Sequence, residues 1–385
     1  MDYYSSLIYS AESDSKTLFR TITRLPHWKA DKLFPTSSSA VDLANKFVHF
    51  FEEKTINIRS NLGTPVIPDF FTTLDTSSLT CQLVNFASTS NTELSNIANN
   101  IIMKSCILVP LHFQSSLKTA VLSPLLKKVS LDHEVLSNYR PISNLKVISK
   151  IIEKVIAVHL QRYLEANQLN EPLQSAFKPF HSCETALVRV HNDILVAIGK
   201  RRCVMLLLLD LSAALDTVDH DILLTRLHSK YSISGIALEW FRSYLTNCSQ
   251  FALIEECRSQ SRELKCGVPQ GSVLEPILYV LYTAPMADIL RFHEMPFHFY
   301  ADDTQLYISF STNNDMELTN SITKIEECLS DIDKWMSINR LKLNKDKTEL
   351  LYLFSKYNPQ QSLSPLHMQE TLALSSIPLR QCFPM

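Results

Sequence analysis

Asp302 and Asp303 stand side by side in Phe297-His298-Phe299-Tyr300-Ala301-Asp302-Asp303-Thr304-Gln305-Leu306-Tyr307-Ile308-Ser309-Phe310. Adjacent carboxylates repel each other and are poor fold stabilisers, so they suggest a cation beside them. An acidic turn exposed to solvent is the other reading, although a plain hairpin turn more naturally uses Asn-Gly or Asp-Gly. A third carboxylate, Asp210, ends the apolar run Cys203 to Leu209. A strand that delivers a carboxylate at its tip is a stiff support for a metal site. An Asp that merely caps a turn is the alternative. Between the two lies Cys266-Gly267-Val268-Pro269-Gln270-Gly271-Ser272, which holds two of only five glycines in 385 residues. Average composition is roughly 7% Gly, so each glycine invites a reason. Such a loop lets backbone approach a ligand closely, and Gln270 donates and accepts at once. An ordinary tight turn would look the same.

Hard Mg²⁺ ions prefer carboxylates and substrate phosphates. Two of them, roughly 3.5–4 Å apart, activate an attacking 3′-hydroxyl and stabilise leaving pyrophosphate in an in-line displacement. Asp210, Asp302 and Asp303 suit that chemistry.

These residues need stiff elements around them. The arms at 297–310 read as a hairpin, with Leu306, Ile308 and Phe310 alternating against Gln305, Tyr307 and Ser309. Lys118 to Leu122 reads as a strand, and the Leu125-Leu126-Lys127-Lys128 that follows is either a phosphate-facing edge or a solvated strand end. Ile148, Ile152, Ile156, Leu160 and Tyr163 form one helical stripe. Ser182 is a good N-cap for a helix with apolar face Leu187, Val190, Ile194 and Ile198, and Gly199 sits where a C-cap glycine belongs. Leu318, Ile322, Ile325, Leu329, Ile332 and Met336 mark a long helix. Val41 to Ile58 is helical by Leu43, Phe47, Phe50 and Phe51, in an otherwise weakly patterned region rich in Ser and Thr. From Lys356 the chain is polar with no convincing period.

Composition is that of a globular protein, with 45% hydrophobic and 20% charged residues, which excludes wholesale disorder. A net charge of -2 excludes a strongly basic coat but not a local basic groove. The nine cysteines include no C-x-x-C pair and read as reduced thiols rather than a disulfide framework or zinc site. No secretory signal or membrane-length apolar run is visible, so the chain is expected to be intracellular, with no membrane partner. Nucleus and cytoplasm both stay open.

Six segments together resemble one family. They are LSNYRPISNLKVISKIIEK (136–154), QSAFKPFHSCETAL (174–187), LLDLSAALDTVDHDILL (208–224), CGVPQGSVLEPILY (266–279), FHFYADDTQLYISF (297–310) and WMSINRLKLNKDKTE (335–349). In that order and spacing they are similar to the reverse transcriptase of a non-LTR (LINE-type) retrotransposon, of the chicken-repeat-related branch. The resemblance is strong from about 117 to 354, and FPTSSSAVDLANKFVHFFEEKTINIRSNL (34–62) is similar to the segment before the polymerase domain.

The resemblance implies an α+β right-handed polymerase fold: fingers over 116–200, a palm of antiparallel sheet backed by helices over 201–354, and a thumb missing or truncated, with 355–385 a divergent tail or truncated thumb. Residues 1–115 would be an N-terminal linker region with its helix near 41–58. It implies RNA-directed DNA polymerase activity on an RNA template and DNA primer with deoxynucleoside triphosphates, using two Mg²⁺. Asp210, Asp302 and Asp303 would be the metal-binding catalytic residues, with the Leu211 carbonyl as a further metal ligand. Gln270 and Gly271 would contact nucleotide and template. Lys178 stands where the family usually has an arginine that reaches the triphosphate. Lys347 would protonate departing pyrophosphate or else be a solvated surface lysine. Arg140 would lie near template backbone or else form a structural salt bridge.

Departures from the pattern bear on activity. Leu215 replaces an aromatic, usually Phe, under the nucleotide sugar, which predicts weaker sugar discrimination. Lys178 loses the bidentate fork of arginine. Ala176 and Phe180 replace small residues in the same loop. Glu275 replaces a glycine; before Pro276 it opens a helix or, near phosphate, repels it. No endonuclease segment is recognisable. A degenerate remnant that binds RNA or protein without catalysis is the second reading. An unrelated metal phosphotransferase is a third that leaves the other motifs unexplained.

Overall fold

The computed structural model describes residues 34–62, 81–87, 93, 112–311, 315–355 and 379–384. Gly63 and the tail 356–378 lie outside them. The architecture is α+β, as expected, and is built around two sheets.

The first sheet has β1 (Thr119–Leu126), β2 (Tyr139–Asn144), β4 (Cys248–Ile254), β5 (Cys257–Arg258) and β6 (Arg262–Leu264). Its order is β2-β1-β4-β5, with β6 also on β4. Helix α1 (Ala40–Ser60) lies against it. Ser39 Oγ accepts from the Asp42 amide at 3.1 Å and sets the helix start. Leu43, Phe47 and Phe51 then fall on one face and are buried against Leu122, Tyr139, Ala252 and Ile254. The segment 40–60 thus shares a core with the first sheet.

The second sheet carries the candidate chemistry. It runs β10-β9-β3-β8-β7, with β3 (Cys203–Leu209), β7 (Phe297–Tyr300), β8 (Asp303–Phe310), β9 (Glu349–Phe354) and β10 (Leu379–Pro384). β3 pairs antiparallel with both β8 and β9. This central position explains its unbroken apolar run: both faces are covered. Met205, Leu207 and Leu209 enter the main core, while Val204 and Leu206 meet Val190 and Ile194 of helix α3 (Cys183–Gly199). β10, parallel to β9, was not legible in the tail sequence.

Helices complete the main core. They are α2 (Val147–Ala166), α4 (His220–Ser229), α5 (Gly235–Leu245), α6 (Glu275–Thr283), α7 (Met286–Phe292) and α8 (Asp315–Ile338). Ile322, Ile325, Leu329, Ile332 and Met336 of α8 are buried as the pattern requires. Among the described residues no helix is long and apolar enough to cross a membrane.

Three local expectations need correction. Ile148 begins α2 and is exposed; the buried stripe is Ile152, Val155, Ile156, Leu160 and Leu164. Leu187 is 57% exposed, because α3 turns Ala186, Val190 and Ile194 toward β3. Gly199 is not the left-handed residue that ends α3. Arg201, at φ 58, takes that role. The Arg201 amide bonds to Ile198 O at 2.9 Å and the Arg202 amide to Ala197 O at 3.1 Å, a Schellman end with arginine in the glycine place.

Candidate active site

The backbone register brings the aspartates together. Leu209 pairs with Thr304, so Asp210 and Asp303 follow as neighbours at the ends of β3 and β8. Tyr300 pairs with Asp303 across the hairpin, leaving Ala301 and Asp302 as the turn. Ala301 has φ 57, a conformation disfavoured for any residue with a Cβ. The Asp303 carboxyl feels the other two: burial, then Asp302, then Asp210 push it above its usual range, against the pull of Lys347.

Asp210 is held from the far side of the chain. Asn344 Nδ2 donates to its Oδ2 at 2.8 Å, and the Asn344 amide donates to its carbonyl at 2.9 Å. Lys347 Nζ stands 3.6 Å from the same Oδ2, with its side chain 70% exposed. Leu211 bridges Leu343, and the Ser212 amide donates to Lys342 O at 2.9 Å. The segment 341–348, a bridge residue followed by a turn, is therefore the second wall of the site. Asn344 was not singled out from sequence, although it lies inside LKLNKDK.

The hard oxygen donors and their mutual repulsion fit divalent cations in chemistry. Among the described residues, though, no three acidic, His or Cys side chains are gathered at ligand spacing. Asp210 is turned instead toward Asn344 and Lys347.

The glycine loop closes over the neighbouring segment. Gly267, at φ 80, donates to Val218 O at 2.7 Å, and Val268 donates to Leu215 O at 3.2 Å. Gln270 Nε2 reaches Asp216 Oδ1 at 3.3 Å, and Gln270 O accepts from Ser143 at 2.8 Å. Leu215 is half-buried against the main core. Burial pushes the Asp216 carboxyl up to about 6, opposed by Lys54 and the Gln270 amide. An open groove of about 780 Å³ passes here, lined among others by Lys54, Ser143, Asp216, Lys265, Pro269 and Gln270. Lys127 is depressed by burial and by the charges of Lys54 and Lys347, so lysines from three separate elements share one field. That field suits a polyanion. Lys127 Nζ itself donates to Ser137 O at 2.7 Å.

Two buried glutamates hold the loop from beneath. Glu153 Oε2 accepts from the Val273 amide at 2.7 Å and from Leu274 at 3.4 Å, while its Oε1 accepts from Ser149 Oγ at 2.9 Å. A carboxylate within the stripe of α2 was the sequence signal for it. Glu275 opens α6 and is 8% exposed. Its Oε2 accepts from the Gly271 amide at 2.7 Å. It caps the loop.

Burial pushes Glu275 up to about 7 from 4.5, outweighing the Gly271 bond, with Asp216 and Glu153 adding repulsion. The folded chain keeps this proton where the unfolded chain has lost it. The stability contribution therefore falls as pH rises from about 5 to about 7. Glu275→Gln keeps the acceptor and removes the titration. Its melting temperature relative to wild type should rise across that window, equivalent to about 2 kcal/mol. A gap that stays constant with pH would show that Glu275 ionises freely in the folded chain.

The remaining sequence candidates are placed as follows. Lys178 Nζ donates to Glu171 O at 2.6 Å, and burial lowers its pKa despite Glu171. Arg140 is exposed on β2 and forms no ion pair among the described residues. Ala176 is buried and Phe180 exposed.

Comparisons with known proteins agree on one family. Residues 126–371, more than half of the chain, match the model "Reverse transcriptase (RNA-dependent DNA polymerase)". A "Probable RNA-directed DNA polymerase from transposon BS" of Drosophila melanogaster is 28% identical over 216 residues, covering 55% of this chain and 23% of that protein. The corresponding protein from transposon X-element of the same organism is 32% identical over 194 residues, covering 50% and 21%. An RNA-directed DNA polymerase from mobile element jockey of Drosophila funebris is 31% identical over 177 residues, covering 46% and 19%. The matches thus span under a quarter of these relatives' lengths. Apo telomerase from Candida tropicalis, truncated from its C-terminal domain, gives a TM-score of 0.45 at 14% identity, over 62% of this chain and 50% of that one. None of these names reaches the chicken-repeat branch. The chain belongs to the reverse transcriptase (RNA-dependent DNA polymerase) family.

Proposed function

We propose that this chain is the RNA-directed DNA polymerase of a non-LTR retrotransposon, extending a DNA primer on an RNA template. The observation that carries the proposal is the strand register that sets Asp210 beside Asp303, with Asp302 in the adjoining turn and Lys347 opposite. Asp210, Asp302 and Asp303 would hold two Mg²⁺, with the Leu211 carbonyl beside them. The ions, when bound, supply charge stabilisation to an in-line displacement at the α-phosphate of a deoxynucleoside triphosphate.

The chain's own residues do the rest. Lys347, whose side chain is exposed, would turn from Asp210 to the departing pyrophosphate and give it a proton. Gln270 lines the groove where the nascent pair would sit, Gly271 follows it in the chain, and their loop is fixed by Glu153 and Glu275. Leu215 would lie under the sugar. Lys54 and Lys127 draw in the phosphate backbone, with Arg140 exposed to join them. Lys178 would leave the Glu171 carbonyl to meet the triphosphate. On this reading residues 116–200 act as fingers and 201–354 as palm.

The test is primer extension on an RNA template with Mg²⁺ and deoxynucleotides. A chain carrying both Asp302→Ala and Asp303→Ala is the control. Extension by the wild type alone supports the proposal. A folded wild type that extends nothing would turn the question to RNA or protein binding without catalysis.

A further inference from the structure

The turn that carries Asp302 is bound by the buried side chain of Gln174. Gln174 is 3% exposed. Its Oε1 accepts from the Ala301 amide at 3.0 Å and from the Ala176 amide at 2.9 Å. Its Nε2 donates to the Ala301 carbonyl at 3.3 Å. Two amide donors on one atom fix which end is oxygen, because the flipped amide would set N–H against N–H. One side chain therefore engages both backbone groups of the residue held at φ 57.

The base of this clamp is firm. Residues 173–175 run beside β7 as a short parallel bridge: Phe299 donates to Leu173 O at 2.9 Å and Ser175 donates to Phe299 O at 3.0 Å. Ser175 Oγ and His298 Nε2 lie 2.9 Å apart. Upstream, Glu171 receives both Arg291 Nη2 contacts, at 2.6 and 2.7 Å, and its carbonyl takes the Lys178 ammonium. The same short segment thus touches the turn at one end and the Lys178 loop at the other.

We infer that Gln174 is a positioning residue for nucleotidyl transfer: it holds Ala301 in its left-handed conformation, and so sets where Asp302 and Asp303 point and couples that turn to the Lys178 loop. The inference rests on the polymerase reading above for its catalytic meaning, though not for its geometry. A left-handed alanine is a minority conformation that persists where its surroundings over-determine it. Without the clamp the turn relaxes, and the two carboxylates lose their common aim.

Two measurements test it on the full chain. The first is hydrogen exchange of the segment 297–306. Gln174→Ala should speed exchange of the Ala301 amide at least about tenfold, because that amide loses its acceptor. The second is single-nucleotide extension. Gln174→Ala should lower kcat at least about tenfold, with KM for nucleotide within about threefold, and should move the Mg²⁺ midpoint upward. Adding Ala301→Gly to Gln174→Ala should restore part of kcat, since glycine takes positive φ without a clamp. Gln174→Glu, which keeps both accepted bonds, is the second variant should Gln174→Ala unfold, and should fall between wild type and Gln174→Ala.

Unchanged exchange at Ala301 would overturn the clamp. A kcat within twofold of wild type, or a loss that Ala301→Gly leaves untouched, would overturn the positioning role. A wild type without extension would sink the polymerase reading alone, because exchange still decides the clamp.

Discussion

Asp303→Asn is expected to lower nucleotide incorporation by about a thousandfold or more while leaving the melting temperature unchanged or raised. The two halves have one cause. Asp303 is pushed above the ordinary carboxylate range by burial and by Asp302 and Asp210, so the folded chain holds charges that would separate if they were free to. Lys347 offsets this only partly, at 3.6 Å from Asp210 with an exposed side chain. A neutral amide of the same shape relieves repulsion and keeps the strand pairing of Tyr300 with Asp303. It also removes a hard donor where phosphate charge must be balanced. A melt and a single-turnover extension on the same preparation check both halves. Activity within tenfold of wild type would remove Asp303 from the catalytic set. A drop of several degrees would make the residue a fold element instead.

The second large effect concerns stability. Gly267→Ala is expected to cost about 3 kcal/mol or more. At φ 80 an L side chain is strained, and a Cβ here would sit 2.7 Å from the carbonyl oxygen of Asp216 and 3.0 Å from its carbonyl carbon. That neighbour is backbone, so no rotamer change relieves the contact. Shifting it disturbs the Gly267 to Val218 bond and the His220 Nε2 donation to Gly267 O at 2.8 Å. The loop bearing Gln270 and Gly271 moves with it, so extension should fall along with stability. Gly199→Ala is the matched control. Nothing lies within 4 Å of its added Cβ, and Gly199 closes α3 without positive φ. That variant should be more stable by about 0.5–1 kcal/mol. Urea unfolding of the two variants decides. Equal stabilities would mean that the glycine loop is not packed against Asp216 as described.

Much of the site was legible because the relevant signals are local. The run Cys203 to Leu209 has strand length and no polar interruption, which a central strand covered on both faces requires. The alternation after Asp303 follows from the two-residue period of a strand. Ser182 was readable as a cap, and the structure gives it the full capping box with Thr185. The pair Asp302 and Asp303 was readable as a candidate site because adjacent carboxylates between apolar arms are poor fold stabilisers.

Other features needed the tertiary structure. Leu187 and Ile148 satisfy a helical period, yet which stripe is buried depends on where the neighbouring element lies. Arg201 occupies a left-handed position that composition assigns to glycine, because the two bonds of the helix end outweigh its Cβ penalty. Glu275 was readable as the start of a helix or as a charge near phosphate; it does open the helix, and its bond to the Gly271 amide is a tertiary contact no local pattern shows. Gln174 and Asn344 have no local signature, since each gains its meaning from a partner more than 100 residues away, the Ala301 backbone for one and the Asp210 carboxylate for the other. Local patterning sufficed for the charged residues, for the central strand, the hairpin and the long helices, and for three aspartates as one candidate set. What holds those aspartates in place came from packing, because hydrogen-bond partners distant in the chain leave no period to read.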